Sequence, residues 1–158
     1  MNEGVEWAMH SCVNLSWLPG QPVTAKHLAA FYDLPTAYLN KQLQALARAG
    51  ILSSVSGPKG GFQLARDPRR ITLLDIVVAI DGPDEAFRCT QILKYGPGAD
   101  AKADYTKICL VSQTMRAAEL TYRRELAGQT VADIAERVVS QSPDAPDNVR
   151  NRFANLKS

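Results

Sequence analysis

In the stretch VEWAMHSC, residues 5–12, a carboxylate at Glu6 and an imidazole at His10 stand four residues apart in a chain with only two histidines. On a helix this spacing brings both to one face, where a carboxylate oxygen and an imidazole nitrogen can converge on one metal ion. A Glu and a His so placed on an exposed helix are most often a solvated pair, so the spacing alone does not decide. The cysteines Cys12, Cys89 and Cys109 are an odd number, and the N-terminal apolar run lacks a basic leader and carries Glu6 and His10. That argues against a disulfide framework and for metal or redox use of some of the thiols, with a Cys89–Cys109 disulfide as the alternative. Zinc accepts sulfur, nitrogen and carboxylate oxygen and is a competing ion for such donors.

The elements that must position these residues follow from hydrophobic period. Apolar side chains at Val5, Ala8, Met9, Cys12 and Leu15 make an amphipathic helix over 3–18, ended by Pro19-Gly20, with Cys12 on its core face. Thr24 caps a short helix with Leu28, Ala29 and Phe31 inward, broken at Asp33-Leu34-Pro35. From Thr36, Leu39, Leu43 and Leu46 line one stripe and Lys41, Gln44 and Arg48 the other, with Gly50 where a left-handed C-terminal residue belongs. Two helices across a tight turn make a helix-turn-helix candidate. ILSSV and FQLAR, separated by SGPKGG, then read as a β-hairpin, a wing with Lys59 at its tip. TLLD opens a helix through LLDIVVAI with a capping-box pattern.

Residues 84–110 lose this periodicity and read as an irregular loop bounded by Cys89 and Cys109. The helix over 110–126, with Val111, Met115, Leu120 and Tyr122, is too apolar to stand alone and needs a partner. Thr130 opens a last short helix, and the Pro-, Asp- and Asn-rich segment 140–158 reads as a flexible tail. The expected organisation is a winged helix-turn-helix domain over 1–83, the cysteine loop over 84–110 and dimerisation and C-terminal helices over 111–139. The fold class is mainly α with a small β wing.

Charge points to a partner. The segment 24–70 holds Lys26, Lys41, Arg48, Lys59, Arg66, Arg69 and Arg70 against Asp33 and Asp67, a local charge of +5 in a chain of formal net charge +2. A basic block in a nearly neutral protein suggests a polyanion-binding face. His27 is expected at the surface near that face. No stretch is apolar enough for a membrane span, and the expected location is cytoplasmic. There is no Cys-x-x-Cys, no nucleotide-binding glycine fingerprint and no acid, base and nucleophile set, so an enzyme is not expected.

The phrases AYLNKQLQALARAGIL, GPKGGFQLAR and ITLLDIVVAIDG, in this order and spacing, resemble the Rrf2 family of bacterial winged-helix regulators, whose IscR- and NsrR-like members respond to iron-sulfur chemistry or nitric oxide. The likeness runs to about residue 137. It implies a homodimer, joined through the helix after the loop, that binds near-palindromic double-stranded DNA operators and acts as a repressor. Many members hold an iron-sulfur cluster on three closely spaced loop cysteines. Here the loop offers only Cys89 and Cys109, so a three-cysteine site is excluded. The EWAMH phrase with these two cysteines is most similar to the RsrR-type redox-sensing branch, which implies a 2Fe-2S cluster on Glu6, His10, Cys89 and Cys109, drawn from both subunits. Replacing thiolates on one iron by imidazole or carboxylate raises the reduction potential towards an accessible range. On this reading the second helix of the helix-turn-helix enters the major groove, with Thr36, Tyr38, Asn40 and Lys41 near base edges or phosphates, and Ser56 and Lys59 of the wing contact the neighbouring backbone or minor groove. A cluster-free or zinc-binding regulator of the same family, answering to a small molecule or partner protein, is the alternative.

Overall fold

Helix α1 (Glu3–Ser16) buries Val5, Ala8, Cys12 and Leu15 along one stripe and packs against three other helices. The computed structural model describes residues 3–157. Helix α2 (Ala25–Phe31) begins where the Thr24 hydroxyl accepts a hydrogen bond from the His27 amide at 3.2 Å. It ends in a turn at Asp33, whose φ of 54° is left-handed, and the Leu34 amide reaches back to the Ala29 carbonyl at 2.9 Å. Pro35 then forbids continuation of α2 and leads into α3 (Thr36–Arg48). The α3 stripe of Leu39, Leu43 and Leu46 is fully buried. Gly50 closes α3 at φ +70°, with Ile51 N–H donating to Leu46 and Gly50 N–H to Ala47, both at 3.0 Å, the paired bonds of a Schellman C-cap.

Strands β1 (Leu52–Val55) and β2 (Gly61–Leu64) form the antiparallel wing, with Leu52 opposite Leu64 and Val55 opposite Gly61. Helix α4 (Leu73–Asp81) starts with a complete capping box: Thr72 N–H donates to the Asp75 carboxylate at 2.9 Å and Asp75 N–H to the Thr72 hydroxyl at 3.0 Å. The stretch 84–110, expected to be irregular, contains a 3-10 turn over Ile92–Tyr95 and the one-turn helix α5 (Tyr105–Ile108). Helix α6 (Leu110–Ala127) follows, and only Ser112 of its residues is buried. Helix α7 (Val131–Gln141) repeats the capping box with Thr130 and Asp133 and returns to pack on α1. The return is pinned by paired bonds between Leu73 N–H and Gln129 and between Val131 N–H and Ile71, both at 2.9 Å.

One expectation is corrected. The segment 140–158, read as a flexible tail, forms helix α8 over Ala145–Lys157. Val149 and Phe153, at i and i+4, enter the core, and the Phe153 ring stacks on Phe31 with centroids 4.9 Å apart. Arg150 and Lys157 donate to the Trp17 and Pro22 carbonyls, at 3.2 and 3.1 Å, so the helix is tied along the α1–α2 connection. The many Asn and charged residues of α8 mask a narrow apolar stripe that is sufficient because α2 supplies a facing groove. His27, expected at the surface, is half-buried on α2, with its Nδ1 shielded and without a hydrogen-bond partner.

Because Phe153 is 2% exposed and fills the space between α8 and α2, Phe153→Ala is expected to lower unfolding free energy by about 3 kcal/mol, as read by urea denaturation. A loss well below 1 kcal/mol would mean that α8 contributes little to the core.

Candidate functional site

Two faces of the molecule carry the residues singled out by the sequence. On the first, α3 presents Thr36, Tyr38 and Lys41 to solvent, with Asn40 half-exposed, because the Leu39, Leu43 and Leu46 stripe turns the opposite side inward. Tyr38 is also held edge-on against Trp7 of α1, at 5.1 Å between centroids. Ser56 and Lys59 are exposed at the wing tip. Neither Lys41 nor Lys59 pairs with a carboxylate among the described residues, whereas Arg66 lies 3.9 Å from Asp75 and Arg69 4.0 Å from Asp67.

The wing is fixed to the helix-turn-helix at its root. Val23 and Phe62 exchange two backbone hydrogen bonds, at 2.9 and 2.8 Å. This approach is possible only because Gly61, at φ +140°, lacks a Cβ; one built there would lie 2.4 Å from the Val23 carbonyl carbon. The tip lysine is therefore carried on a short ribbon whose base cannot swing freely away from α2.

On the second face, Glu6 and His10 are exposed on α1 and, with Trp7, Tyr32 and Leu34, line a cavity of about 170 Å³. The Tyr32 ring lies 5.6 Å from that of His10, and its hydroxyl accepts a hydrogen bond from the Asn14 amide at 2.8 Å. Burial pushes the Tyr32 phenol above its ordinary pKa, against the Asn14 hydrogen bond, which favours the phenolate. Cys89 and Cys109 are free thiols, both half-buried, and line one larger cavity of about 550 Å³ with Phe87, Ile92, Leu93, Ile108 and Val111. The structure thus brings Glu6 to His10 and Cys89 to Cys109, but in one chain it does not bring the two pairs together. Among the described residues no three His, Cys, Asp or Glu side chains converge where a metal would be held. Cys12 is fully buried, and burial pushes its thiol up to about 12, as expected of a core residue.

Sequence reasoning missed Tyr32 and Leu34 as walls of the first cavity, since nothing local marks residues that line a site only across a helix-turn-helix. The apolar run Ile92-Leu93 inside a polar loop was a signal for the second cavity. Ile92 and Leu93 remain substantially exposed, as do Ile108, Leu110 and Val111.

A helix-turn-helix with a two-stranded wing, a lysine-bearing exposed face on α3 and a largely exposed helix α6 makes a winged helix-turn-helix fold. The chain belongs to the Rrf2 family, described as iron-dependent transcriptional regulators, which matches residues 1–137. It is 38% identical over 73 residues to the HTH-type transcriptional regulator BadM of Rhodopseudomonas palustris, a match covering 46% of this chain and 47% of that protein. The chain therefore spans about half the length of such curated relatives. Among solved structures it is similar to T. potens IscR (TM-score 0.66, 22% identity, 90% of each chain). It is similar also to CymR, the global cysteine regulator of B. subtilis (TM-score 0.62, 22% identity, 87% of this chain and 96% of that one). No helix of the described residues is long and apolar enough to cross a membrane.

The thiolate is the reactive form of cysteine, so burial should leave Cys12 silent to iodoacetamide at mildly alkaline pH in the folded, metal-free protein. Mass spectrometry is expected to find Cys89 and Cys109 alkylated and Cys12 modified only after denaturation.

Proposed function

We propose that this chain is a homodimeric, DNA-binding transcriptional repressor whose operator affinity answers to a 2Fe-2S cluster held by Glu6, His10, Cys89 and Cys109. One observation carries the reading. Each of the two donor pairs is two ligands short of a cluster, and they sit in separate cavities of one chain. Two copies joined along α6 supply the complement, Glu6 and His10 from one and Cys89 and Cys109 from the other. The donor chemistry fits: two unpaired thiols in an apolar cavity suit one iron, and an exposed carboxylate and imidazole on one helix face suit the second. When bound, such a cluster supplies a one-electron change of charge. Glu6 and His10 are the ligands closest to the reading head, since Tyr32 beside them ends α2 and Leu34 lies in the turn before α3. A shift of that pair would bear on the presentation of α3.

The dimer is supported by α6. Leu110 is 76% and Val111 62% exposed, Met115 and Tyr122 continue the face of Val111 at i+4 and i+11, and Leu120 is exposed on the opposite side of the helix. Near-palindromic operators follow from two-fold symmetry, with α3 in successive major grooves and the wings on the flanking backbone. Thr36, Tyr38, Asn40 and Lys41 are the proposed groove contacts, and Ser56 and Lys59 the wing contacts. The apolar cavity of about 550 Å³ beside the cysteines favours one second reading, a cluster-free regulator of the same family that binds a small apolar molecule there.

Anaerobic purification with iron and sulfide analysis separates these readings. Wild type is expected to be coloured, Cys89→Ala and Cys109→Ala colourless, and His10→Ala to carry a labile or altered cluster. If His10→Ala and Glu6→Ala match wild type in visible spectrum, iron content and DNA binding, the ligand assignment is wrong.

For DNA, Lys41→Ala and Lys59→Ala should each weaken operator binding and lower the slope of log affinity against log salt by about 0.9 per lost phosphate contact. Unchanged affinity and slope in both variants, by fluorescence anisotropy, would remove this face from the interface.

A further inference from the structure

Helix α6 leaves the reading head at its C-terminal end, where Leu73 N–H donates to the Gln129 carbonyl at 2.9 Å. One anchor lets a helix pivot, and a direction requires a second. Helix α6 also packs along α4, with Arg116 3.6 Å from Glu85, and Arg123 adds the hydrogen-bonded anchor in the body of the helix. Its Nε donates to the Glu119 carboxylate at 2.8 Å, and one Nη donates to two consecutive backbone carbonyls, Pro83 at 3.0 Å and Asp84 at 2.9 Å. The Arg123 and Glu119 side chains are only 26% and 16% exposed, in a surface where most ion pairs are open to solvent. The two carbonyls follow directly on Gly82, the C-cap of α4, so the guanidinium ties α6 to the end of a core helix. Arg123 lies about one turn inside α6 and Gln129 just past its C-cap Gly128, two separated points that define an axis.

We infer that Arg123 is a positioning residue that sets the half-site spacing this protein accepts. The inference rests on the proposed dimeric, DNA-binding reading. With two copies joined along α6, the angle between α6 and the head determines how far apart and how rotated the two α3 helices lie, and duplex DNA repeats only every 34–36 Å or so. An arginine is required by the geometry: its planar fork meets a carboxylate and two carbonyls at once, whereas a lysine ammonium is a single point of charge. The same two carbonyls open the segment that leads to Cys89, so the clamp lies between the head, the dimer helix and the cysteine loop.

The test begins with selection from random duplex DNA by wild-type holoprotein, which supplies a pair of half-sites. Duplexes are then made with that spacing and with one or two base pairs added or removed. Wild type is expected to lose about tenfold or more in affinity per step, and Arg123→Met to keep the preferred site within about threefold while losing most of its discrimination. Arg123→Lys, which keeps the charge beside Glu119 without the fork, is expected to fall between them and serves if the methionine variant does not fold. Amide exchange in residues 83–88 is expected to rise in both variants while exchange in α3 is unchanged, which general destabilisation would not produce. Wild-type spacing preference retained in folded Arg123→Met and Arg123→Lys overturns the inference and leaves the regulator reading standing. Wild-type protein that selects no DNA overturns both.

Discussion

Helix α1 is packed against α3, α4 and α7, and the rotation this packing imposes governs much of the rest. With Val5, Ala8, Cys12 and Leu15 committed to the interior, Glu6 and His10 have only the outer face available. Turning the helix to bury them would expose the stripe and leave a carboxylate and an imidazole without solvent, each outcome costing several kcal/mol. Glu6 and His10 are thus presented by the same packing that builds the core. They also rest against the helix-turn-helix, since Tyr32 and Leu34 form the remaining wall of their cavity.

The reading head is stiff for reasons that are mostly backbone chemistry. The turn between α2 and α3 is held by a left-handed Asp33 and the bond from Leu34 to Ala29, and the far end of α3 by the Schellman bonds around Gly50. The Val23–Phe62 pair then docks the wing on the α2 side, with Gly61 admitting a contact that a side chain would block. Helix α3 and the wing tip are thus joined through the same set of backbone hydrogen bonds.

Helix α6 stands apart from this economy. Its apolar residues are as numerous as those of a core helix, yet the chain itself covers almost none of them. What the chain does contribute is orientation, through packing on α4, Gln129 at one end, and Arg116 and Arg123 in the body of the helix. A surface left bare but aimed in a defined direction is the arrangement a symmetric partner requires.

Local signals determined most of the elements. Capping residues such as Thr24, Thr72 and Thr130, the leucine stripe of α3, the Gly-rich tip of the hairpin and the i, i+4 pair on α1 each declare themselves within a few residues, because helix and turn chemistry is short-range. The same locality misled at 140–158, where Asn and charge outweighed a narrow apolar stripe of Val149, Phe153 and Leu156 whose worth depends on Phe31, more than a hundred residues away in sequence. Nor could it give the Arg123 clamp, since Pro83 and Asp84 offer only backbone carbonyls, which every residue has. That Glu6 lies with His10 on one face is a property of helical period, and the sequence decides it. That this pair and the two cysteines occupy different cavities of one chain is decided only by how α1, the loop and α6 pack, because contacts between distant segments follow from the shape of the whole core and from no local pattern.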